Sequence, residues 1–117
     1  MTKSVLLYAL VGLYLFDLPR VGASLADLRR FPAEARREAG FQLDAVQRGL
    51  DPTDWKPLST VGVGVREIRI HVLGERRVIY VARFADAVYV LHCFEKRGRK
   101  TRREDLALAR ERYRLLQ

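Results

Sequence analysis

The sequence predicts an α+β fold: a small antiparallel sheet arranged as a meander, two N-terminal helices packed on one face, and a C-terminal helix. Three observations carry this. Residues 24–50 have helical periodicity, residues 65–94 hold three β-rich segments separated by turn residues, and helical periodicity returns after residue 101. At 117 residues, 49% hydrophobic and 31% charged, the chain suits one folded domain with a modest core.

Two helices are predicted in the first half. Ser24 opens the first one, with Asp27 three residues later as an N-terminal box. This helix should end near Phe31, because the residue before a proline disfavours helical geometry. Pro32 suits the first turn of a second helix, which Gly49 would end. Apolar residues spaced by three or four give that helix one buried face: Ala35, Ala39, Leu43, Val46 and Leu50.

The β-rich segments are predicted as strands over Val65–Val72, Arg76–Phe84 and Ala87–Phe94, with turns at Gly74 and at residues 85–86. Residues 51–64, rich in proline, glycine and threonine, are interpreted as a loop.

A capping box of Thr101 and Glu104 should start the last helix. Its inner stripe would be Leu106, Ala109, Tyr113 and Leu116.

The apolar run Val5–Phe16 is too short to span a bilayer, which needs roughly 20 residues. It could be the apolar region of a signal peptide, a buried strand or helix, or an extension translated from an early start codon. We favour the last two and divide the chain into an N-terminal extension, residues 1–17, and a folded domain, residues 18–117. A chain that begins near Leu18 should fold without the extension.

The charge is strongly basic. There are 22 Lys plus Arg against 14 Asp plus Glu, a net charge of +8 and a pI near 10.2. This favours a polyanionic partner, with nucleic acid first, because binding neutralises phosphates and releases counterions. The single Cys93 excludes an internal disulfide and is interpreted as a small core residue. No Cys/His spacing resembles a zinc site, so we expect no metal. We also expect no cofactor and no membrane partner, and the single cysteine fits a reducing cytoplasm.

Side chains alternate along a strand, so parity separates the two faces of the sheet. A three-residue hairpin loop at residues 73–75 would place Ile70 opposite Val78 and His71 opposite Arg77. The following turn would pair Ile79 with His92 and Arg77 with Phe94. One face, packed under helices, would hold Ile68, Ile70, Val78, Tyr80, Leu91 and Cys93. The other face would be open, cationic and suited to phosphate: Arg69, His71, Arg77, Arg83, His92 and, beyond the strand, Lys96.

A phosphate-binding site that can also transfer a proton needs a base, an acid and cations that stabilise charge on the phosphate. The best candidates are Arg69 and Arg77 as phosphate clamps, with His92 and Lys96 beside them. Surrounding positive charge should lower the pKa of His92 and keep it neutral, able to accept a proton. Lys96 would serve as acid or electrostatic stabiliser. The basic segment after the last strand would grip the RNA backbone through Arg97, Arg99, Lys100, Arg102 and Arg103.

The runs "DWKPLSTVGVGVREIRI" and "RVIYVARFADAVYVLHCFEKRGRKT", then "DLALARERY", resemble the phage-related HigB-type branch of the RelE toxin superfamily. "SLADLRRFPAEARREAGFQLDAVQRGLDP" resembles the helical N-terminal half of that family, so the resemblance covers roughly residues 21–115. The family's usual Lys-Lys-x-x-Lys-Thr block has Arg97 in place of a lysine here, which keeps the charge.

The resemblance implies a RelE-like fold and the toxin of a type II toxin–antitoxin pair. That toxin would be an endoribonuclease cutting mRNA, usually on the ribosome, and masked by a helix-turn-helix antitoxin of the HigA type. Two alternatives stay open. One is a ParE-like toxin that poisons DNA gyrase without nuclease activity, and the other is a non-catalytic module that binds RNA or the ribosome.

Overall fold

Three helices and four strands follow one another in residues 23–84 and 87–116, the part of the chain that this computed structural model describes. The helices are α1 (Ala23–Arg29), α2 (Ala33–Gln47) and α3 (Arg103–Arg114). The strands are β1 (Trp55–Pro57), β2 (Val65–Ile70), β3 (Arg76–Phe84) and β4 (Ala87–Glu95). The predicted α+β fold is therefore confirmed. The extension at residues 1–17 and the side chain of Arg83 lie outside the described part.

The sheet is antiparallel throughout, in the order β1-β2-β3-β4, so the predicted meander is correct. The structure adds β1, in a segment interpreted as loop from the sequence. Trp55 lies opposite Ile68 and Pro57 opposite Arg66. Proline lacks the N–H of an interior strand but fits an edge strand, which is the position of β1. A three-residue strand that ends in proline has no alternation to reveal it.

The hairpin between β2 and β3 differs from the prediction. The loop has five residues, 71–75, so Ile68 lies opposite Val78 and Arg69 lies opposite Arg77. Leu73 and Gly74 both have positive φ angles, 53° and 110°, and together turn the chain. The pairing is displaced by two residues from the predicted one. A displacement of two keeps every side chain on its predicted face, whereas a displacement of one would have exchanged the faces.

Helices α1 and α2 pack on one face of the sheet, as predicted. α1 ends at Arg29, two residues before the predicted end, and Pro32 is the N-cap residue of α2. Leu50, assigned to the buried face of α2, lies beyond the helix and is exposed. The core between these layers contains Leu28, Phe31, Ala35, Ala39, Leu43, Ile68, Ile70, Val78, Tyr80, Val88, Val90 and Cys93.

The second face is not open along its whole length, so that expectation was wrong. Ala109 and Tyr113 of α3 form a second apolar cluster with the sheet and with the loop after β1. Leu106 and Leu116 pack against this cluster, which confirms the predicted stripe of α3. The other buried members are Leu58, Val61, Val65, Ile79, Val81, Leu91 and Phe94. Among the described residues of this face, the charged side chains of Glu67, Arg69 and Arg77 lie towards the β2–β3 hairpin.

A change of register in β4 explains why Leu91 lies on the face opposite to the predicted one. Ile79 pairs with His92, as expected, but Tyr80 pairs with Val90. Leu91 is therefore the extra residue of a β-bulge, and it joins the second apolar cluster rather than the first. The predicted pairing of Arg77 with Phe94 is also present.

The predicted capping box at Thr101 and Glu104 is not formed. α3 begins at Arg103 with Arg102 at the N-cap, and no side chain caps it by a hydrogen bond. Glu104 and Asp105 instead place two carboxylates in the first turn, where their negative charge interacts favourably with the positive end of the helix dipole. Within the described residues, no helix combines the length and apolarity needed to cross a membrane.

Candidate active site

A cleft of about 610 Å³ opens between α1, the end of β4 and the start of α3. Each element brings charged side chains to it, while Phe31, Cys93 and Phe94 supply the apolar part of the wall. Its lining consists of Asp27, Arg30, Phe31, Arg76, His92, Cys93, Phe94, Glu95, Arg97, Arg102, Glu104 and Asp105. The cleft therefore joins one predicted catalytic residue, His92, to two predicted RNA-binding residues, Arg97 and Arg102.

His92 is buried in the wall of this cleft between two carboxylates. Its Nδ1 lies 3.1 Å from Oδ2 of Asp27 in α1, and its Nε2 lies 2.8 Å from Oδ1 of Asp105 in α3. Arg112 of α3 donates from Nη1 to the same Oδ2 of Asp27 at 2.8 Å and to the carbonyl of Leu91 at 2.8 Å. These interactions connect three elements of the fold through one imidazole ring.

The pKa of Asp27 reflects this position. Burial by itself raises the pKa of the carboxyl group, but hydrogen bonds and charge interactions with His92 and Arg112 outweigh burial and lower it below its ordinary value. Asp27 is thus ionised at neutral pH. The expectation that cations surround His92 was wrong at the ring itself, because both of its nitrogens face carboxylates.

The arginines predicted to clamp phosphate lie near the β2–β3 hairpin. Arg77 is only 5% exposed and donates from Nη1 to Oε1 of Glu75 at 3.1 Å and to the carbonyl of Arg76 at 2.9 Å. Arg69, its neighbour across the ladder, is half-exposed and lies 3.6 Å from Asp54. The structure brings these two predicted residues together, but each is paired with an acidic side chain.

Glu67 is a buried acid that the sequence did not indicate. It is 1% exposed, with Oε1 at 3.7 Å from Nζ of Lys56 and 3.8 Å from Nε of Arg77. Within the described residues, neither Oε2 of Glu67 nor Nε of Arg77 has a hydrogen-bond partner. Glu75 therefore orients one edge of the Arg77 guanidinium, while the Nε of Arg77 is buried beside Glu67.

His71 completes a set of charged side chains near the β2–β3 hairpin, called the hairpin group below: Asp54, Glu67, Arg69, His71, Glu75 and Arg77. Its Nδ1 lies 2.7 Å from Oε2 of Glu75 and its Nε2 lies 2.6 Å from Oδ2 of Asp54. Hydrogen bonds to these two carboxylates raise the pKa of His71, and the bond from His71 lowers the pKa of each carboxyl group. Among the described residues, the two histidines share no side-chain partner.

Phe94 connects the hairpin group with the cleft. It lies opposite Arg77 in the β3–β4 ladder, and its ring stacks with the imidazole of His92 at a centroid distance of 5.0 Å. Arg77 and His92 therefore belong to cross-strand pairs two positions apart in the ladder, on the same side of the sheet.

The segment after β4 carries the remaining predicted residues. The backbone N–H of Lys96 donates to the carbonyl of Glu75 at 2.7 Å, which holds Lys96 beside the hairpin. Gly98, with φ of 88°, turns the chain back towards α3. Arg97 pairs with Glu95 at 2.8 Å. Within the described ranges, the other basic side chains have no ion pair and project from the surface: Arg99, Lys100, Arg102 and Arg103.

Three residues around His92 were not predicted as site residues from the sequence: Asp27, Asp105 and Arg112. Asp27 fitted a helix-capping pattern, which hid its long-range contacts with β4 and α3. Asp105 and Arg112 stand four before and three after the buried Ala109, so they lie on the same side of α3 as its apolar stripe. Charged residues at core-facing positions of a helix were the signal that could have found them.

Comparison with protein-family models adds one finding. The model described as "Phage derived protein Gp49-like (DUF891)" matches residues 26–114, which include α2, α3 and all four strands. Searches of curated proteins and of solved structures gave no match. Proteins of the Gp49-like family are toxin-like proteins of the RelE/HigB type, associated with the toxins of toxin–antitoxin systems. Because the match covers most of the chain, this protein belongs to the Gp49-like family of phage-derived proteins.

Proposed function

We propose that this protein is the toxin of a type II toxin–antitoxin system. In this proposal it is a HigB-type, metal-independent endoribonuclease that cuts mRNA on the ribosome in the cytoplasm. Its membership of a toxin-like family supports the toxin role. The net charge of +8 supports a nucleic-acid substrate.

One observation carries the nuclease assignment. A buried histidine in a cleft lies two cross-strand pairs along the β3–β4 ladder from a buried, oriented arginine, and the cleft opens towards a cationic segment. Cleavage at a 2′-hydroxyl requires proton transfer and stabilisation of an extra charge on phosphate. His92 can transfer the proton and Arg77 can meet the charge. A protein that only binds RNA would need neither group in the interior.

The remaining residues have supporting roles in this proposal. Arg69 is the second clamp on the phosphate, and Lys96 stabilises charge from the end of β4. RNA phosphates would compete with Asp54 and Glu75 for the two arginines. The exposed Arg99, Lys100, Arg102 and Arg103, together with Arg97, would hold the RNA backbone on either side of the cut. Binding through them should weaken as salt rises.

The partner in the cell would be a helix-turn-helix antitoxin of the HigA type, which masks the toxin until it is degraded. Such an antitoxin has to block access to the cleft or to the cationic segment at residues 96–103. Acidic side chains on its surface would suit that segment, because five of its six basic residues lack an ion pair within the described structure.

The deciding experiment is induced expression followed by mapping of mRNA 5′ ends, with and without the neighbouring helix-turn-helix gene product. We expect new ends within coding regions that disappear with the antitoxin and in the His92→Gln variant. Asp44→Asn, which alters an ion pair of α2 outside the site, is the matched control and should cut normally. Altered DNA supercoiling without new ends would support the gyrase poison instead. Arrested translation with neither change would support the binding module.

A further inference from the structure

Both ring nitrogens of His92 are within hydrogen-bond distance of carboxylate oxygens, at 3.1 Å for Nδ1 and 2.8 Å for Nε2. An ionised carboxylate only accepts hydrogen bonds, and a neutral imidazole carries a single N–H. A neutral ring could therefore satisfy one of these interactions and would present a lone pair to the other carboxylate. Both are hydrogen bonds only when the ring carries two protons.

The guanidinium of Arg112 does not supply the missing donor. Its Nη1 is 3.5 Å from Nδ1 of His92, but it is 2.8 Å from Asp27 Oδ2 and 2.8 Å from the carbonyl of Leu91. One guanidinium nitrogen of this type has two hydrogens, and these two short bonds use both. Nδ1 of His92 must then provide its own hydrogen to meet Asp27.

The charges around the ring also favour a His92 that carries two ring protons. Asp27 and Asp105 are two negative groups facing His92, and Arg112 is one positive group. A protonated His92 makes this buried set neutral, which avoids the cost of an unbalanced buried charge. Further from the ring, Arg30 of α1 contacts Asp27 but is mostly exposed, and Arg76 of β3 pairs with Glu95 of β4. The other charges along the cleft are Arg97, Arg102 and Glu104.

We propose that Asp27 and Asp105 are positioning residues that hold His92 as an imidazolium, so that His92 is the proton donor of the cleavage reaction rather than its base. This inference rests on the proposed endoribonuclease function and reverses the role predicted for His92 from the sequence. Asp27 orients the ring from the buried side. Asp105 lies in the wall of the cleft and is the more exposed of the two, with 18% of its side chain accessible against 10% for Asp27.

The leaving 5′-oxygen of the RNA would take the place of Asp105 next to Nε2. In that step the 2′-oxygen bonds to phosphorus and its proton passes to solvent water. The bond between phosphorus and the 5′-oxygen breaks, and that oxygen receives the Nε2 proton of His92. The products are a 2′,3′-cyclic phosphate and a free 5′-hydroxyl, and His92 regains its proton from water. Loss of a proton donor of this kind costs about 100-fold or more in rate.

The first test does not depend on cleavage. The chain has only two histidines, so nitrogen NMR of the full-length protein labelled with ¹⁵N-histidine gives two imidazole signal sets, which His71→Gln assigns. At neutral pH we expect two protonated nitrogens in His92. Asp105→Asn should convert the ring to one protonated and one bare nitrogen. A bare nitrogen in the wild-type ring would overturn the proposal whether or not the protein is a nuclease.

The second test is the pH dependence of single-turnover RNA cleavage. If His92 donates the proton, the rate falls as pH rises through the loss of that proton. Asp105→Asn should move this fall to lower pH by about one unit or more, because a hydrogen bond to a charged group contributes that much. Asp27→Asn should do the same where it folds, and Asp44→Asn should leave the profile unchanged. A rate that rises with deprotonation of His92 would overturn the proposal and leave the nuclease assignment standing. A wild-type protein that cuts no RNA would overturn the nuclease assignment instead.

Discussion

Each of the two histidines of this protein lies between two carboxylates, but the two side chains differ in their exposure to solvent. His71 lies between Asp54 and Glu75 at 2.6 and 2.7 Å, and His92 lies between Asp27 and Asp105 at 3.1 and 2.8 Å. The His71 side chain is 52% exposed, whereas that of His92 is 7% exposed. Water can replace a missing partner of His71, but it cannot easily replace one of His92.

The elements that the two rings connect differ as well. His71 joins the β2–β3 hairpin loop to Asp54, the residue before β1, all at one end of the sheet. His92 joins α1, β4 and α3, which come from opposite ends of the described chain. An identical arrangement of carboxylates is therefore a surface network in one place and a link across the fold in the other. Because of this difference in burial, we expect the arrangement around His92 to contribute more to stability than the one around His71.

The largest expected difference between the two regions is in stability. Asp27→Ala removes the partner of both Arg112 and His92 and leaves a buried charge uncompensated, so it should lower the free energy of unfolding by about 3–5 kcal/mol. Asp54→Ala removes the matching carboxylate at the exposed histidine and should cost only about 0–1 kcal/mol. Urea unfolding of both variants at neutral pH measures the contrast.

The pH dependence gives this prediction a sign. Because the pKa of Asp27 is lowered by folding, its contribution to stability is present above the ordinary value of 3.8 and is lost as pH falls through the lowered value. The difference in the free energy of unfolding between wild type and Asp27→Ala should therefore become smaller in acid. Equal losses of stability for the two aspartates at neutral pH would remove the distinction between the regions.

The next effect concerns Arg77, the buried arginine of the hairpin group. Arg77→Lys keeps the charge but loses the planar pair of donors, and loss of one oriented donor commonly costs about 100-fold to 1,000-fold in rate, or about 3–4 kcal/mol. The measurement is single-turnover cleavage at saturating RNA for Arg77→Lys and Arg77→Ala, with folding checked by thermal melting. Rates within about threefold of wild type in both variants would leave Arg77 as a docking residue.

The same contrast shows how far the sequence could be interpreted. Parity placed Arg69, Arg77 and His92 on one face, and that assignment survived a hairpin pairing that was wrong by two residues, whereas His71 lies in the loop beyond β2. The β-bulge at Leu91 could not be seen in the alternation, because a bulge inserts one residue without any change of composition.

The acidic partners were harder to predict than the basic residues. Basic residues stood out because they are clustered in sequence at residues 96–103. Asp27 and His92 are 65 positions apart and meet only after α1 and α3 pack against β4. Asp27 also fits a helix-capping pattern, and this local pattern gives no sign of a tertiary contact. The fold class therefore followed from periodicity, whereas the environment of the site depended on long-range packing.

A smaller effect is expected at the surface of the cationic segment. Arg102 and Arg103 are exposed, and neither has an ion pair within the described residues, in contrast to the paired arginines of the hairpin group. Replacing both by alanine should weaken RNA binding and reduce the slope of log affinity against log salt by up to about 1.4, since each phosphate that is no longer neutralised accounts for about 0.7. Cleavage positions should not change. Loss of single-turnover cleavage at saturating RNA would instead place these arginines in the site.

The smallest effect belongs to the exposed histidine, and its direction follows from its pKa. Folding raises the pKa of His71, so its stabilising contribution is present below the ordinary value of 6.5 and is lost as pH rises through the raised value. Folding lowers the pKa of Glu75, so the contribution of Glu75 is present above 4.5 and is lost in acid. The network should therefore contribute most between pH 4.5 and 6.5. Because His71 is half-exposed, solvent screening should keep the stability lost in His71→Gln below about 1 kcal/mol in this range, and about 1 M salt should reduce it further. Urea unfolding of wild type and His71→Gln across the pH range isolates the contribution of His71 to the free energy of unfolding. If the difference in the free energy of unfolding between wild type and His71→Gln grew towards alkaline pH, it would contradict the role of His71 as the positively charged partner of Glu75.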